Sequence, residues 1–219
     1  TVIGVERLID ALLMVAASQY VTNGMGPISI NLIAPSDAGK TGLMLSALPN
    51  NARVINDFTA ASLLRIVGEK RPPTYLVVPD FNVAMNDPPT VANMAMALML
   101  ALIAEGITEI PGVEEAYKVR AKALHARGLR FAFVTGMTPE MFYSRRGKWR
   151  NTGLLRRLVP INYVYSKITE KNVQQSIESG ADLLQYLHTK TPRLKRGAVV
   201  IPHAAARRLL RVVHPPTER

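Results

Sequence analysis

The chain has 219 residues and a mass of 24.0 kDa, enough to bury one continuous core in a single domain, or in one domain with a small appendage. Hydrophobic residues at 48% and charged residues at 20% exclude a disordered acidic chain, and the absence of cysteine excludes disulfides, a thiolate nucleophile and Cys-based zinc or iron–sulfur sites. The net charge of +11 is unevenly placed: Thr1 to Lys118 holds 7 basic against 11 acidic residues, whereas Val119 to Arg219 holds 20 against 5.

A lack of cysteine suits a reducing cytoplasm, the expected location. His125, His188, His203 and His214 lie far apart with no ligand-like spacing, so a histidine metal site is not expected. Met94 to Ala104, the longest apolar stretch, is roughly half of the ~20 residues that cross a bilayer, so no membrane partner is expected. Glu6 and Asp10 sit where a signal peptide would carry only positive charge. The numbering opens on Thr1 rather than methionine, which leaves room for flanking domains.

Helical periodicity over Val5 to Tyr20 predicts a first helix. Asn23, Gly24, Gly26 and Pro27 break it, and Ile28 to Ile33 reads as a buried strand. The loop Ala34-Pro35-Ser36-Asp37-Ala38 leads into Gly39-Lys40-Thr41-Gly42 and an apolar helical run through Leu48. Further along, Arg53 to Ile55 is a short strand, Thr59 to Val67 a helix, and Thr74 to Val78 a strand with Pro79-Asp80 at its carboxyl end. Asp87 to Thr90 caps a Met-rich helix, Val91 to Glu105, in which Met94, Met96 and Met99 read as core filling. A helix over Val113 to Arg127 stops at Gly128, and a strand over Arg130 to Thr135 ends at Gly136. A basic loop and helix follow over Tyr143 to Leu158, then a strand at Ile161 to Tyr165. Thr169 caps a helix through about His188, and Pro202 opens a last one through Val213.

Alternating strands and helices predict an α/β fold with a parallel sheet covered on both faces and ligands at the carboxyl ends of its strands. Within it, Ala34-x4-Gly39-Lys40-Thr41 stands one residue from the phosphate-loop pattern G-x4-G-K-[ST]. In that pattern, residues Pro35 through Gly42 bind ATP, with the main-chain N–H groups after the proline wrapping its β-phosphate. Lys40 reaches the β- and γ-phosphates, and Thr41 ligates Mg²⁺. Alanine at 34 replaces a glycine, which tests whether the loop needs unusual backbone angles there. Asp80, after the apolar run Tyr75 to Val78, is the expected second Mg²⁺ group, held through water. Beside it stand Phe81 and Asn82 rather than a water-activating glutamate; Glu105 and Asp87 are the substitutes considered.

On these residues the chain resembles the AAA+ family of P-loop ATPases. The resemblance implies a P-loop NTPase three-layer αβα sandwich with a central, mostly parallel sheet and a small C-terminal helical lid. The core would span residues 1–165 and the lid residues 166–219. It also implies a polar sensor at Thr135 and an arginine finger within Gly153-Leu154-Leu155-Arg156-Arg157-Leu158, at Arg156 or Arg157, with Arg145, Arg146 and Arg150 as alternatives. For the lid's own sensor arginine, Arg193, Arg207 and Arg208 are the candidates. Phosphoryl transfer places negative charge on the γ-phosphate in its transition state, which is why arginines matter here. A finger acting on a neighbouring subunit requires a head-to-tail homo-oligomer, closed as a ring or open as a filament.

The basic second half favours a polyanion, with Arg145, Arg146, Lys148 and Arg150 as nucleic-acid contacts. The leading expectation is therefore an oligomeric ATPase acting on nucleic acid as motor, loader or remodeller, with a protein partner as a further option. Two alternatives stand beside it. One is a catalytically weak assembly subunit whose interface ATP stabilises; the other is a small-molecule kinase built on the same loop.

Overall fold

The computed structural model describes residues 6–20, 26–69, 71–82, 88–104 and 130–179. Five strands form one sheet in the spatial order β2-β3-β4-β1-β5: β1 Ser29–Ile33, β2 Ala52–Val54, β3 Tyr75–Val78, β4 Ala132–Met137 and β5 Leu158–Asn162. Every adjacent pair is parallel, so all the carboxyl ends open on one rim. The α/β reading with a parallel sheet is borne out. α1 Glu6–Ser18 precedes the first strand; between the strands run α2 Lys40–Ser46, α3 Ala60–Val67, α4 Pro89–Ala104, α5 Pro139–Asn151 and α6 Leu154–Arg157, and α7 Lys167–Glu178 follows the last.

All residues of β1, β3 and β4 are buried, as strands covered on both faces should be. Alternation sorts their side chains into two cores. Ile30, Leu32, Tyr75, Val77 and Val134 pack with Leu12 and Val15 of α1 and Leu43 and Met44 of α2. Ile33, Leu76, Val78, Phe133 and Met137 pack with Leu63 of α3, Leu98 and Met99 of α4, and Phe142 and Trp149 of α5. Met99 is fully buried, while Met94 and Met96 lie against the same core.

Local chemistry sets most boundaries. Thr59 and Ser62 cap α3 reciprocally. Thr138 caps α5, with Pro139 at its first position, so the basic helix begins earlier than Tyr143. It is also shorter than expected, giving way at Gly153, with a left-handed φ of 74°, to the single turn of α6. Ser166, not Thr169, caps α7: its Oγ accepts the Thr169 N–H at 3.1 Å.

Two strands differ from expectation. β4 continues through Gly136 to Met137, because the glycine lets its end pass close to β3. β5 begins at Leu158 rather than Ile161 and contains Pro160, which an edge strand tolerates because one side of its ladder is unpaired. The helices expected at 113–127 and 202–213, most of the span of the lid, the four histidines, Glu105, Asp87, Arg193, Arg207 and Arg208 lie outside the described residues. No helix among the described residues is long and apolar enough to cross a membrane.

Candidate functional site

β1 delivers the chain to the rim at Ile33, and the loop 34–39 returns it into α2. Ala34 is buried, and its N–H donates to the Met137 carbonyl at 3.2 Å, tying the loop to the end of β4. No described residue other than glycine has a positive φ, so position 34 does not need a glycine. Gly39 does: its φ of 65° turns the loop into the helix. A tight turn closes where the Ala38 N–H meets the Pro35 carbonyl at 3.2 Å, and Pro35, Ser36, Asp37 and Thr41 are exposed around it. Gly42 has open space where a Cβ would stand.

Lys40 folds back over this loop. Its ammonium donates to the Ala34 carbonyl at 2.7 Å and the Pro35 carbonyl at 2.5 Å. Only 8% of the residue is accessible, and it is the one charged side chain buried among the described residues. Burial lowers its pKa below the usual lysine value, while the carboxylates of Asp80 and Asp37 pull the other way. No carboxylate lies within ion-pair distance of it among the described residues. A lysine ammonium carries three donors, and two are used.

Asp80 leaves β3 on the same rim, and β4 separates its strand from β1. Gly136 governs that approach. A Cβ there would meet the Pro79 carbonyl oxygen at 2.6 Å and the Met44 methyl at 2.9 Å, so β4's end is pinched between Asp80's neighbour and α2. Asp80 is exposed, and its Oδ1 accepts the Asn82 N–H at 3.0 Å. Asn82 in turn accepts the Thr138 N–H at 3.4 Å, linking the exits of β3 and β4. Phe81 points the other way, fully buried edge-on to Phe58 and near Trp149. The position beside Asp80 is thus a core position, which is the physical reason that no acid stands there.

Thr135 stands level with Val78, the last residue of β3, and two residues before the end of β4. It is fully buried and donates to Asn31 Oδ1 at 2.9 Å within the sheet. Thr138, three residues on, is the threonine at the strand's exit.

Arg156 and Arg157 stand at the other end of the sheet. They immediately precede Leu158, whose register partner is Ser29, the first residue of β1. The length of β1 alone, roughly 13 Å at ~3.3 Å per step, separates them from the loop. Arg156 is exposed and unpaired among the described residues, whereas half-buried Arg157 lies over Gly153, where a Cβ would come within 2.8 Å of its guanidinium.

The four basic residues of α5 are divided. Arg145 contacts Met141 Sδ at 3.2 Å and Lys148 donates to Asn93 of α4 at 3.1 Å; Arg146 and Arg150 are exposed.

Tyrosines flank the loop on its other side. Tyr163 donates its hydroxyl to the Ala38 carbonyl at 2.9 Å, and its ring meets Tyr165 edge-on at 5.9 Å. Burial raises the pKa of both, so they remain neutral donors. A cavity of about 220 Å³ lies between the loop and α7, lined by Pro35, Asp37, Ala38, Val164, Tyr165, Glu170 and Gln174. The alternation of Tyr163 and Tyr165 after an apolar segment was the sequence signal for this wall. Among the described residues no cluster of three or more metal-ligating acids or histidines occurs. No family model, curated protein or solved structure matches the chain.

Proposed function

We propose that the rim binds a nucleoside triphosphate with Mg²⁺, and that the protein is an ATPase acting on nucleic acid. The observation that carries this reading is Lys40: an ammonium buried without an ion pair and with one donor unused among the described residues, beside a turn of main-chain amides. Burying an unpaired cation costs free energy that a bound anion recovers. A triphosphate would supply that anion, with the Gly39 to Gly42 amides wrapping the β-phosphate and Lys40 leaving its carbonyls for the β- and γ-oxygens. Thr41 and Asp80 are the residues that would hold the metal, which when bound neutralises charge developing between the β- and γ-phosphates. The 220 Å³ cavity beside Tyr165 offers room at the loop for part of the nucleoside.

Arg156, distant from its own loop, fits a finger supplied to a neighbouring subunit, hence head-to-tail assembly. Arg146 and Arg150 supply the polyanion contact. A second reading has its own support, because Phe81 fills the core where a water-activating acid would be expected. A subunit that binds ATP to cement assembly and turns it over negligibly answers to that feature.

Phosphate release by the purified chain, with and without a polynucleotide, decides between them. The ATPase reading expects turnover that Lys40→Met abolishes. Nucleotide-dependent assembly without turnover in either protein supports the second, and no nucleotide binding at all overturns both.

A further inference from the structure

The two flanks of α5 differ. Taking ~100° per residue around the helix, buried Phe142 and Trp149 define its inner face. Arg145 and Lys148 fall on one flank, and their head groups are engaged by Met141 and by Asn93 of α4. On the other flank Arg146, Tyr143, Arg150 and Gly147 form a continuous stripe. Tyr143 is 60% exposed, and its ring is braced edge-on by Phe142 at 5.6 Å. Arg146 and Arg150 are exposed and make no hydrogen bond or ion pair among the described residues. Gly147 sits within this group, and a Cβ there would touch nothing within 4 Å. Packing therefore does not demand the glycine, although glycine is a poor residue inside a helix. It leaves a position without a side chain at the outer edge of the stripe, one turn from Tyr143 and from Arg150.

We infer that this stripe binds a single polynucleotide strand, with a base stacked on Tyr143 and neighbouring phosphates on Arg146 and Arg150. Charge complementarity selects a polyanion, and the exposed Tyr143 ring beside it selects an unpaired strand, because bases stacked within a duplex offer no free face to a tyrosine. The neighbouring aromatic residues are committed elsewhere: Trp149 is buried, and Tyr163 and Tyr165 stand at the phosphate loop. This inference rests on the reading of the protein as one that acts on nucleic acid, but it does not require nucleotide at the rim.

Fluorescence anisotropy with labelled oligothymidylate, and with a duplex of equal length, tests it across a salt series without nucleotide. Tyr143→Ala should weaken strand binding about tenfold and leave duplex binding unchanged, with Tyr143→Phe restoring it. Replacing both Arg146 and Arg150 by glutamine should lower the slope of log affinity against log salt by about 1.4, and Lys148→Gln by less than half of that. Equal losses for strand and duplex, no loss with Tyr143→Ala, or an effect of Lys148→Gln matching the double variant would overturn the inference. So would a change in oligomeric state with strand affinity intact, which would make the stripe a subunit contact. ATP binding on the same preparations separates the two readings: intact ATP binding with no strand binding removes only the stripe, and the reverse removes only the phosphate site.

Discussion

The two ends of the sheet handle positive charge in opposite ways. At the carboxyl rim a single lysine is buried, bonded to two carbonyls and close to two carboxylates that do not pair with it. At the far end, and along the free flank of α5, Arg146, Arg150 and Arg156 stand in solvent. An exposed arginine costs little wherever it falls, so its meaning comes from its arrangement. A buried ammonium is costly, and its presence is itself a statement about what the site holds.

Among the exposed arginines the largest expected effect is at Arg156. Its loss should lower ATP turnover by about 10³-fold or more while nucleotide affinity stays within about twofold, because the proposed finger would act only in a neighbour's transition state. Mixing Arg156→Ala with Lys40→Met subunits should recover part of the turnover, because each supplies what the other lacks. Arg157→Ala, already packed over Gly153, should alter stability instead. Equal affinity loss in both arginine variants would mean that the far end does not act across an interface.

Gly136→Ala sharpens the rim. The added methyl meets the Pro79 carbonyl and Met44, an overpacking that costs about 1–3 kcal/mol and lowers the unfolding midpoint by several degrees at roughly 2–4 °C per kcal/mol. Because Pro79 carries Asp80, the variant should also lose part of its Mg²⁺-dependent ATP affinity. Thermal unfolding and titration with and without Mg²⁺ measure the two effects.

The smallest expected effect is a pH dependence with two opposite signs. Burial places the pKa of Lys40 below the ordinary 10.5, and a bound phosphate favours its charged form. ATP affinity should therefore fall as pH rises through that lowered value, before the usual lysine range. Without nucleotide, the unfolded chain holds the extra proton over the same interval, so stability should rise there with pH. Lys40→Arg should keep ATP affinity flat to higher pH. Titrations between pH 7.5 and 10 read the difference.

The strand–loop–helix context of Lys40 and the strand ending at Asp80 were legible because apolar runs bounded by glycine and proline mark both. Contacts between segments distant in sequence were not. Thr135 looked like the end of its strand because Gly136 read as a stop, whereas that glycine is there for the pinch against Pro79, 57 residues earlier. The start of β5 was hidden because Leu154, Leu155 and Leu158 continue a helical spacing and Pro160 argues against a strand. Only its edge position makes that proline harmless. Nor did residue type reveal that Phe81 is core, or that four clustered cations divide into an engaged and a free flank. Helix phase decides the latter, and the phase became certain only once Phe142 and Trp149 were seen to share the inner face.

On the proposed reading, Lys40 and Asp80 act on one bound triphosphate–metal unit. A double-mutant cycle of Lys40→Met and Asp80→Asn, read by calorimetric titration of ATP with and without Mg²⁺, tests it most directly. The expected coupling is above about 0.5 kcal/mol with Mg²⁺ and vanishes without it. Additive losses in both conditions, or ATP affinity unmoved by either substitution, would contradict it.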